Sequence, residues 1–193
     1  PRLRPAERPV RRGDVLLLVV AATGLTSPAM TERRKRPVQA SRVEMTEIVM
    51  PNDANPLGNA MGGRVMHWID VCAAVCAGRH SRTPCVTASV DNVDFHNPVP
   101  VGSVIVLLAS VNYTGRTSME VGVKVWQEER PTGHRNHVAS AYLTFVSLDP
   151  ETRKPRVVPI VTPESDEERR RYADAEARRD ARLSVRGSTP KGS

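Results

Sequence analysis

The stretch Pro51 to Asp70, reading PNDANPLGNAMGGRVMHWID, carries residues whose types and spacing suit chemistry on an acyl group. Gly62 and Gly63 stand near the start of a helix-forming run, where backbone N–H groups lack partners within the helix and the dipole is positive. Glycine lets a foreign carbonyl oxygen approach that backbone closely. Donors aimed at a developing negative oxygen are what acyl transfer requires, and losing one commonly costs about 3 kcal/mol of barrier. The same pair would serve equally for tight packing of the helix against a strand. Asp70 follows in the otherwise apolar run from Val65 to Ala77. Its distance from Gly63 is about two helical turns, so the carboxylate shares a face with the glycines roughly 10 Å along the axis. Burying an unpaired carboxylate is costly, and desolvation raises its proton affinity, which suits a general base or a nucleophile near neutral pH. The competing assignment is a structural carboxylate bonded to His67 or Arg64. Asn55, in the turn before the helix, has an amide able to orient a water or an acyl oxygen; next to Pro56 it is also an ordinary turn former.

The elements that must position these groups follow from periodicity. Val43 to Met50 alternates apolar and polar residues as a half-buried strand does. Pro51 to Gly58 is a loop of Pro, Asn, Asp and Gly. Asn59 to Ala77 reads as one helix with apolar residues on nearly every face, hence wrapped by other structure, and Gly78 is its expected stop. Four strands follow, over Cys85 to Phe95, Ser103 to Tyr113, Ser118 to Glu128 and Val138 to Leu148. One strand, a long buried helix and four successive strands make an α+β domain over residues 41–149, with an antiparallel sheet wrapped around the helix. An exposed sheet edge favours pairing with a second copy, so a dimer at least is expected.

The flanks read differently. Residues 1–40 are expected to be a basic, disordered leader. Its apolar run Val15 to Ala22 is too short to span a bilayer, and Asp14 beside it with no small-residue cleavage site argues against a signal peptide. Met30 is a plausible natural start, leaving the first 29 residues as upstream sequence. Residues 150–163 hold four prolines and are expected to be extended. Glu164 to Leu183 alternates acid and base at helical spacing and is expected to be a solvated helix held by ion pairs, with a disordered end.

Charge and composition exclude some function classes. The chain has 28 Lys and Arg against 21 Asp and Glu, net +7. The excess is +6 in residues 1–40 and +3 in residues 150–193, while residues 41–149 carry −2. A nucleic-acid groove needs cations spread over the folded body, and 4% aromatics leaves few stacking platforms, so no nucleic-acid partner is expected. Cys72, Cys76 and Cys85 are an odd set without zinc-ligand spacing around them; they read as small buried hydrophobes in a reducing, cytoplasmic setting, with no metal.

Several separated motifs, in order, resemble one family. The run from Val49 to Asp70, Arg79-His80-Ser81, Val86 to Val90, Phe95 with Pro98 and Gly102, Gly115 to Val121 and Phe145 to Asp149 are similar to the cytosolic acyl-CoA thioesterases of the hotdog superfamily. That resemblance implies a five-stranded antiparallel sheet curled round the central helix, a dimer with a continuous sheet, and hydrolysis of acyl-CoA to free fatty acid and coenzyme A. It implies active sites at the dimer interface, with Asn55 from one subunit and Asp70 from the other. Asp70 activates water or attacks the thioester itself, Asn55 positions water or acyl group, and the Gly63 N–H, with Gly62, holds the oxyanion. It implies no metal or redox cofactor, coenzyme A being part of the substrate, and leaves open a trimer of dimers; the short apolar run of the leader gives no expectation of stable membrane insertion. Coenzyme A phosphates need cationic and hydroxyl partners; Arg116, Thr117 and Ser118 match the segment beside pantetheine and nucleotide, and Arg79 ends the helix. His80, Arg82 and Arg135 are further candidates that nothing in the sequence separates. A hotdog dehydratase is disfavoured because no histidine lies between Val49 and Gly63, and serine-hydrolase chemistry because no Gly-x-Ser-x-Gly turn occurs. The alternative of another class is a non-catalytic acyl-CoA sensor; no helix-turn-helix precedes the domain.

Overall fold

Period-two alternation in consecutive runs demands a sheet, and the computed structural model, which describes residues 33–129 and 131–188, contains it. In chain order the elements are β1 (Lys35–Pro37), β2 (Val43–Ile48), α1 (Gly62–Ser81), β3 (Cys85–Phe95), β4 (Val104–Thr114), β5 (Ser118–Glu128), β6 (Arg135–Ser147), β7 (Ile160–Thr162) and α2 (Asp166–Ser188). Five strands form an antiparallel sheet in the order β2-β4-β5-β6-β3. This is the expected α+β hotdog arrangement.

Helix α1 covers the inner face. Val65, Trp68, Ile69, Cys72, Ala73 and Cys76 from the helix meet alternate strand residues such as Ile105, Leu107, Val121, Leu143 and Phe145, all buried. Each large aliphatic or aromatic side chain removed from water this way contributes about 1.5–3 kcal/mol, so the apolar helix is the keystone of the core. Its bounds differ from those expected. Residues 59–61 stay extended because Ala60 bridges Ala54 and Asn59 bridges Pro100, so the helix starts at Gly62. Gly78 does not stop it: the Gly78 carbonyl accepts the Arg82 N–H at 2.8 Å, and the chain leaves the helix at Arg82, in the left-handed region with φ 60°. A mid-helix glycine costs about 1 kcal/mol, yet the helix runs through Gly78 and places Ala77 and His80 in the interior.

The flanks depart further from expectation. Residues 33–40, assigned above to a leader, are ordered: β1 pairs in parallel with β7, Val38 is buried, and Arg33 donates to the carbonyls of Val158 and Gly115. Residues 1–32, including the apolar run and Met30, lie outside the described residues. Helix α2 is not freely solvated. Its exposed side carries the expected ion pairs, Arg169–Asp166, Arg170–Asp174 and Arg171–Glu167, but its other side lies on the outer face of the sheet. There Ala175 and Glu168 are buried, the Tyr172 ring sits 5.0 Å from Tyr113, and Arg178 grips Glu120 with two nitrogens at 2.7 and 3.2 Å. Among the described residues no helix is long and apolar enough to cross a membrane.

Candidate active site

The loop before α1 is built by its own polar residues. The Asn55 side-chain oxygen accepts the N–H groups of Leu57 at 2.9 Å and Asn59 at 3.2 Å, closing the turn as an Asx motif does. The Asn55 Nδ2 has no acceptor among the described residues. Asp53 is buried; its Oδ2 accepts the Met50 N–H at 3.0 Å and its Oδ1 lies 2.7 Å from Arg64 Nε. Arg64 is therefore committed to the loop and unavailable to Asp70.

This loop delivers α1 with a bare N-terminus. Its first residue follows Met61, which supplies no side-chain cap, and the first turn has no acidic residue. Backbone bonding within the turn begins with the N–H groups of Arg64 and Val65, both to the Met61 carbonyl. The N–H groups of Gly62 and Gly63 have no acceptor among the described residues, so the positive end of the helix is open. A side-chain carbon at Gly63 would meet nothing within 4 Å, and one at Gly62 would only touch Phe95 at an ordinary 3.7 Å. Packing inside this chain thus does not demand glycine, which removes the tight-packing alternative and leaves room for an incoming group.

Two turns on, Asp70 is half-buried. Its Oδ1 accepts the hydroxyl proton of Thr87 on β3 at 2.7 Å; neither His67 nor Arg64 bonds it. Gly63, Asp70 and Thr87 line one open cavity of about 350 Å³, walled by Met66, Ile69, Val90, Val93 and Leu143. Thr87 is the member that sequence reasoning missed: it lies within a matched motif, but an inward-facing threonine near the start of a strand carries no local signal. Met66 and Val90 of the cavity lining, with Val71 and Val75 on α1 and Phe95 at the end of β3, are 39–48% exposed, apolar side chains left open to solvent along α1 and on the edge strand β3.

The other candidates fall elsewhere. Asn55 is not among the residues lining this cavity. Thr117 and Ser118 line a groove on the outer face, with Thr144 and with Arg179 and Arg182 of α2. Arg116 is exposed in the turn before them, closed by the Gly115 N–H on the Ser118 carbonyl at 2.9 Å. Arg79 donates to the Arg42 carbonyl at 3.0 Å, and Arg135 pairs with Glu128 and Glu44. His80 is wholly buried between Ser41 and the Pro159 carbonyl and cannot meet a ligand. Burial pushes the Cys72 thiol up to about 11 and the Cys76 thiol up to about 12, so neither is a nucleophile near neutral pH. Among the described residues no group of three or more His, Cys, Asp or Glu is placed to hold a metal ion.

The sequence profile of the Thioesterase superfamily matches residues 57–134. The uncharacterised acyl-CoA thioester hydrolase YkhA of Bacillus subtilis is 44% identical over 128 residues, 66% of this chain and 74% of that protein. The crystal structure of an apo hexameric acyl-CoA thioesterase superposes with a TM-score of 0.77 at 41% identity, covering 81% of this chain and 99% of the other. The acyl-CoA hydrolase of Staphylococcus aureus, solved with butyryl coenzyme A and coenzyme A, gives 0.75 at 37% identity over 79% of this chain and 92% of that one. Variants of that hydrolase have been solved with an asparagine, an aspartate or a threonine changed to alanine. The three positions are separated by fifteen and seventeen residues there, as Asn55, Asp70 and Thr87 are here.

Proposed function

The chain belongs to the thioesterase superfamily, and from that premise we propose that it hydrolyses acyl-CoA thioesters to free fatty acid and coenzyme A. The single observation that carries this reading is the cavity holding the Asp70 carboxylate, with the Thr87 hydroxyl upon it, on the same helix face as the uncapped N–H of Gly63. The thioester carbonyl oxygen is received by the Gly63 N–H, with Gly62 beside it, where the helix dipole and unpaired donors stabilise the oxyanion. Asp70 takes the proton of a water that attacks the carbonyl carbon; the C–S bond breaks and the leaving thiolate takes that proton from Asp70, which restores the carboxylate. The axial separation of about 10 Å, shortened because side chains lean toward the helix N-terminus, leaves room for that water, which favours it over direct attack by the carboxylate. Thr87 holds the Asp70 rotamer. The reading calls for no metal and no redox cofactor.

In the same reading the working unit is a dimer. Pairing of the free β3 edges would cover the exposed apolar side chains of α1 and β3, shut bulk water from Asp70, and carry Asn55 of one subunit toward Asp70 of the other, where its free Nδ2 orients the water or the acyl oxygen. Dimers then assemble further, as the hexameric relatives do. Arg79, Arg116, Thr117 and Ser118 serve the phosphates and pantetheine of coenzyme A, and the enzyme acts in the cytosol. The test is release of free thiol from acetyl-CoA through palmitoyl-CoA, followed continuously with a thiol reagent. Turnover on at least one chain length is expected. Tight binding without thiol release would make the protein an acyl-CoA sensor instead.

A further inference from the structure

Strand β3 does not alternate evenly between the two faces of the sheet. In plain alternation Thr87 and Val90 would face opposite sides, and so would Val90 and Val93. Yet all three line the cavity beside α1, opposite the buried Phe145, Leu143 and Ala141 of β6. Two bulges make this possible. The register against β6 shifts between Thr87 and Ser89 and again between Val90 and Asn92, leaving Ala88 and Asp91 as extra residues. Ala88 and Ser89 come out on the other face, where they line the groove beneath α2 together with Arg182. A bulge disrupts the ladder and leaves its extra residue unpaired, and β3 is an edge strand with β6 as its neighbour. A slip of one residue there would turn Thr87 away from Asp70.

We propose that Asp91 and Arg182 are positioning residues, which hold the two bulges from the outer face and so keep the Thr87 hydroxyl on Asp70. This rests on the roles given to Asp70 and Thr87 in the preceding subsection and adds the device that fixes them. One oxygen of the Asp91 carboxylate accepts the Ser89 hydroxyl at 2.7 Å, and the other pairs with the Arg182 guanidinium. The extra residue of the second bulge is thereby tied to the residue that closes the first, and both are tied to α2. The two side chains are 14% and 20% exposed, so removing the guanidinium strands a carboxylate that is largely shielded from water. Helix α2 is itself pinned one turn earlier. Arg178 holds Glu120 of β5 and lies 3.8 Å over the ring of Tyr142, the β6 partner of Asn92. Arg182 therefore bears on the bulges from a fixed support. On the inner face the same stretch presents Thr87, whose hydroxyl donates to Asp70 at 2.7 Å.

Steady-state thiol release from acyl-CoA by the full-length protein, with thermal unfolding alongside, tests this. Arg182→Met and Asp91→Ala should each lower kcat about tenfold or more, the scale on which small misplacements act, while KM changes less than about twofold. Arg182→Lys keeps the cation for a single contact and should return kcat to within about threefold of wild type. In a Thr87→Ala background, Arg182→Met should cost less than about twofold further, because the hydroxyl that it positions is gone. Wild-type kcat in Arg182→Met and Asp91→Ala, with only a lower melting temperature, overturns the positioning role and leaves the pair structural. A loss that persists undiminished in Thr87→Ala overturns the route through Thr87. A wild-type protein that releases no thiol at any chain length overturns the thioesterase reading itself, and the positioning role with it.

Discussion

Two helices lie on opposite faces of one sheet and are held there by opposite means. Helix α1 is fixed by burial: eight of its residues are buried, all but His80 apolar or nearly so. Helix α2 is fixed by a few discrete contacts, Arg178 to Glu120, Arg182 to Asp91, Arg42 to Glu168 and a tyrosine pair. Burial is diffuse and tolerates single changes; discrete ion pairs concentrate the attachment in a few sites. The difference also sorts function. An apolar helix can isolate a carboxylate and leave an uncapped terminus facing a cavity, whereas a charged helix on the outside can only brace and bridge.

The sharpest way to break the comparison is at Asp70. Asp70→Ala is expected to lower turnover on acyl-CoA by about 100-fold or more, the loss typical of a general base, while the affinity for a non-hydrolysable acyl-CoA analogue stays near wild type. Turnover within a few-fold of wild type would leave α1 a scaffold only, no different in kind from α2.

Next in size is the anchor of α2. Glu120 is 3% exposed and is held by Arg178 and by Asn112 Nδ2 at 3.2 Å. Arg178→Ala strands that carboxylate. Breaking a buried pair costs 3–5 kcal/mol in general, and because Arg178 is about a quarter exposed a loss of about 2 kcal/mol in urea unfolding is expected. Combining Arg178→Met with Glu120→Leu should cost less than either change alone. Equal costs for single and double changes would mean that α2 is held by surface burial, as α1 is.

A smaller effect separates stability from activity at the tip of α1. Since a Cβ at Gly63 meets open space, Gly63→Ala should leave the melting temperature unchanged or slightly raised, alanine being the better helix former. Turnover should fall about tenfold because the methyl group crowds the incoming carbonyl at the donor. A melting temperature several degrees lower would restore the packing role for this glycine.

What was legible in the sequence follows the same division. The bounds of β3 and β5 coincide with the runs Cys85 to Phe95 and Ser118 to Glu128, because period-two burial is a local signal. The start of α1 was not legible, since Asn59 and Ala60 are held out of the helix by Pro100 and Ala54, and such pairings leave no mark on the residues themselves. Gly63 and Asp70 declared themselves by standing out from an apolar helix, while Thr87 is ordinary for a strand. The docking of α2 was hidden because each partner is a single polar residue on a different strand. One trace of it existed: Val104 to Val111 is apolar at both parities of the alternation, as in a strand buried on both faces, and the outward Val106, Ser110 and Asn112 are indeed buried.

The smallest expected effect lies where α1 meets the flanks. His80 is completely buried, its Nδ1 3.3 Å from Ser41 Oγ and its Nε2 3.2 Å from the Pro159 carbonyl, so a single imidazole ties α1 to the segments around β1 and β7. Burial holds its pKa below the ordinary 6.5, against the hydrogen bond to Pro159, and the Arg36 guanidinium nearby adds to the lowering. The folded protein therefore keeps His80 neutral while the unfolded chain takes up a proton as the pH falls through about 6.5. The His80 contribution is complete above that pH, declines through the window between 6.5 and the lowered folded value, and is constant below it. His137 has the same sign, lowered by burial and by the adjacent His96, so wild type alone cannot isolate the effect. Urea unfolding at pH 7.5 and 5.5 should show His80→Gln less stable than wild type at the higher pH, with the gap narrowing at the lower one by no more than one proton's worth of slope. Parallel losses in the two proteins would mean that His80 titrates alike folded and unfolded, and that the junction is held by β1 and β7 without it.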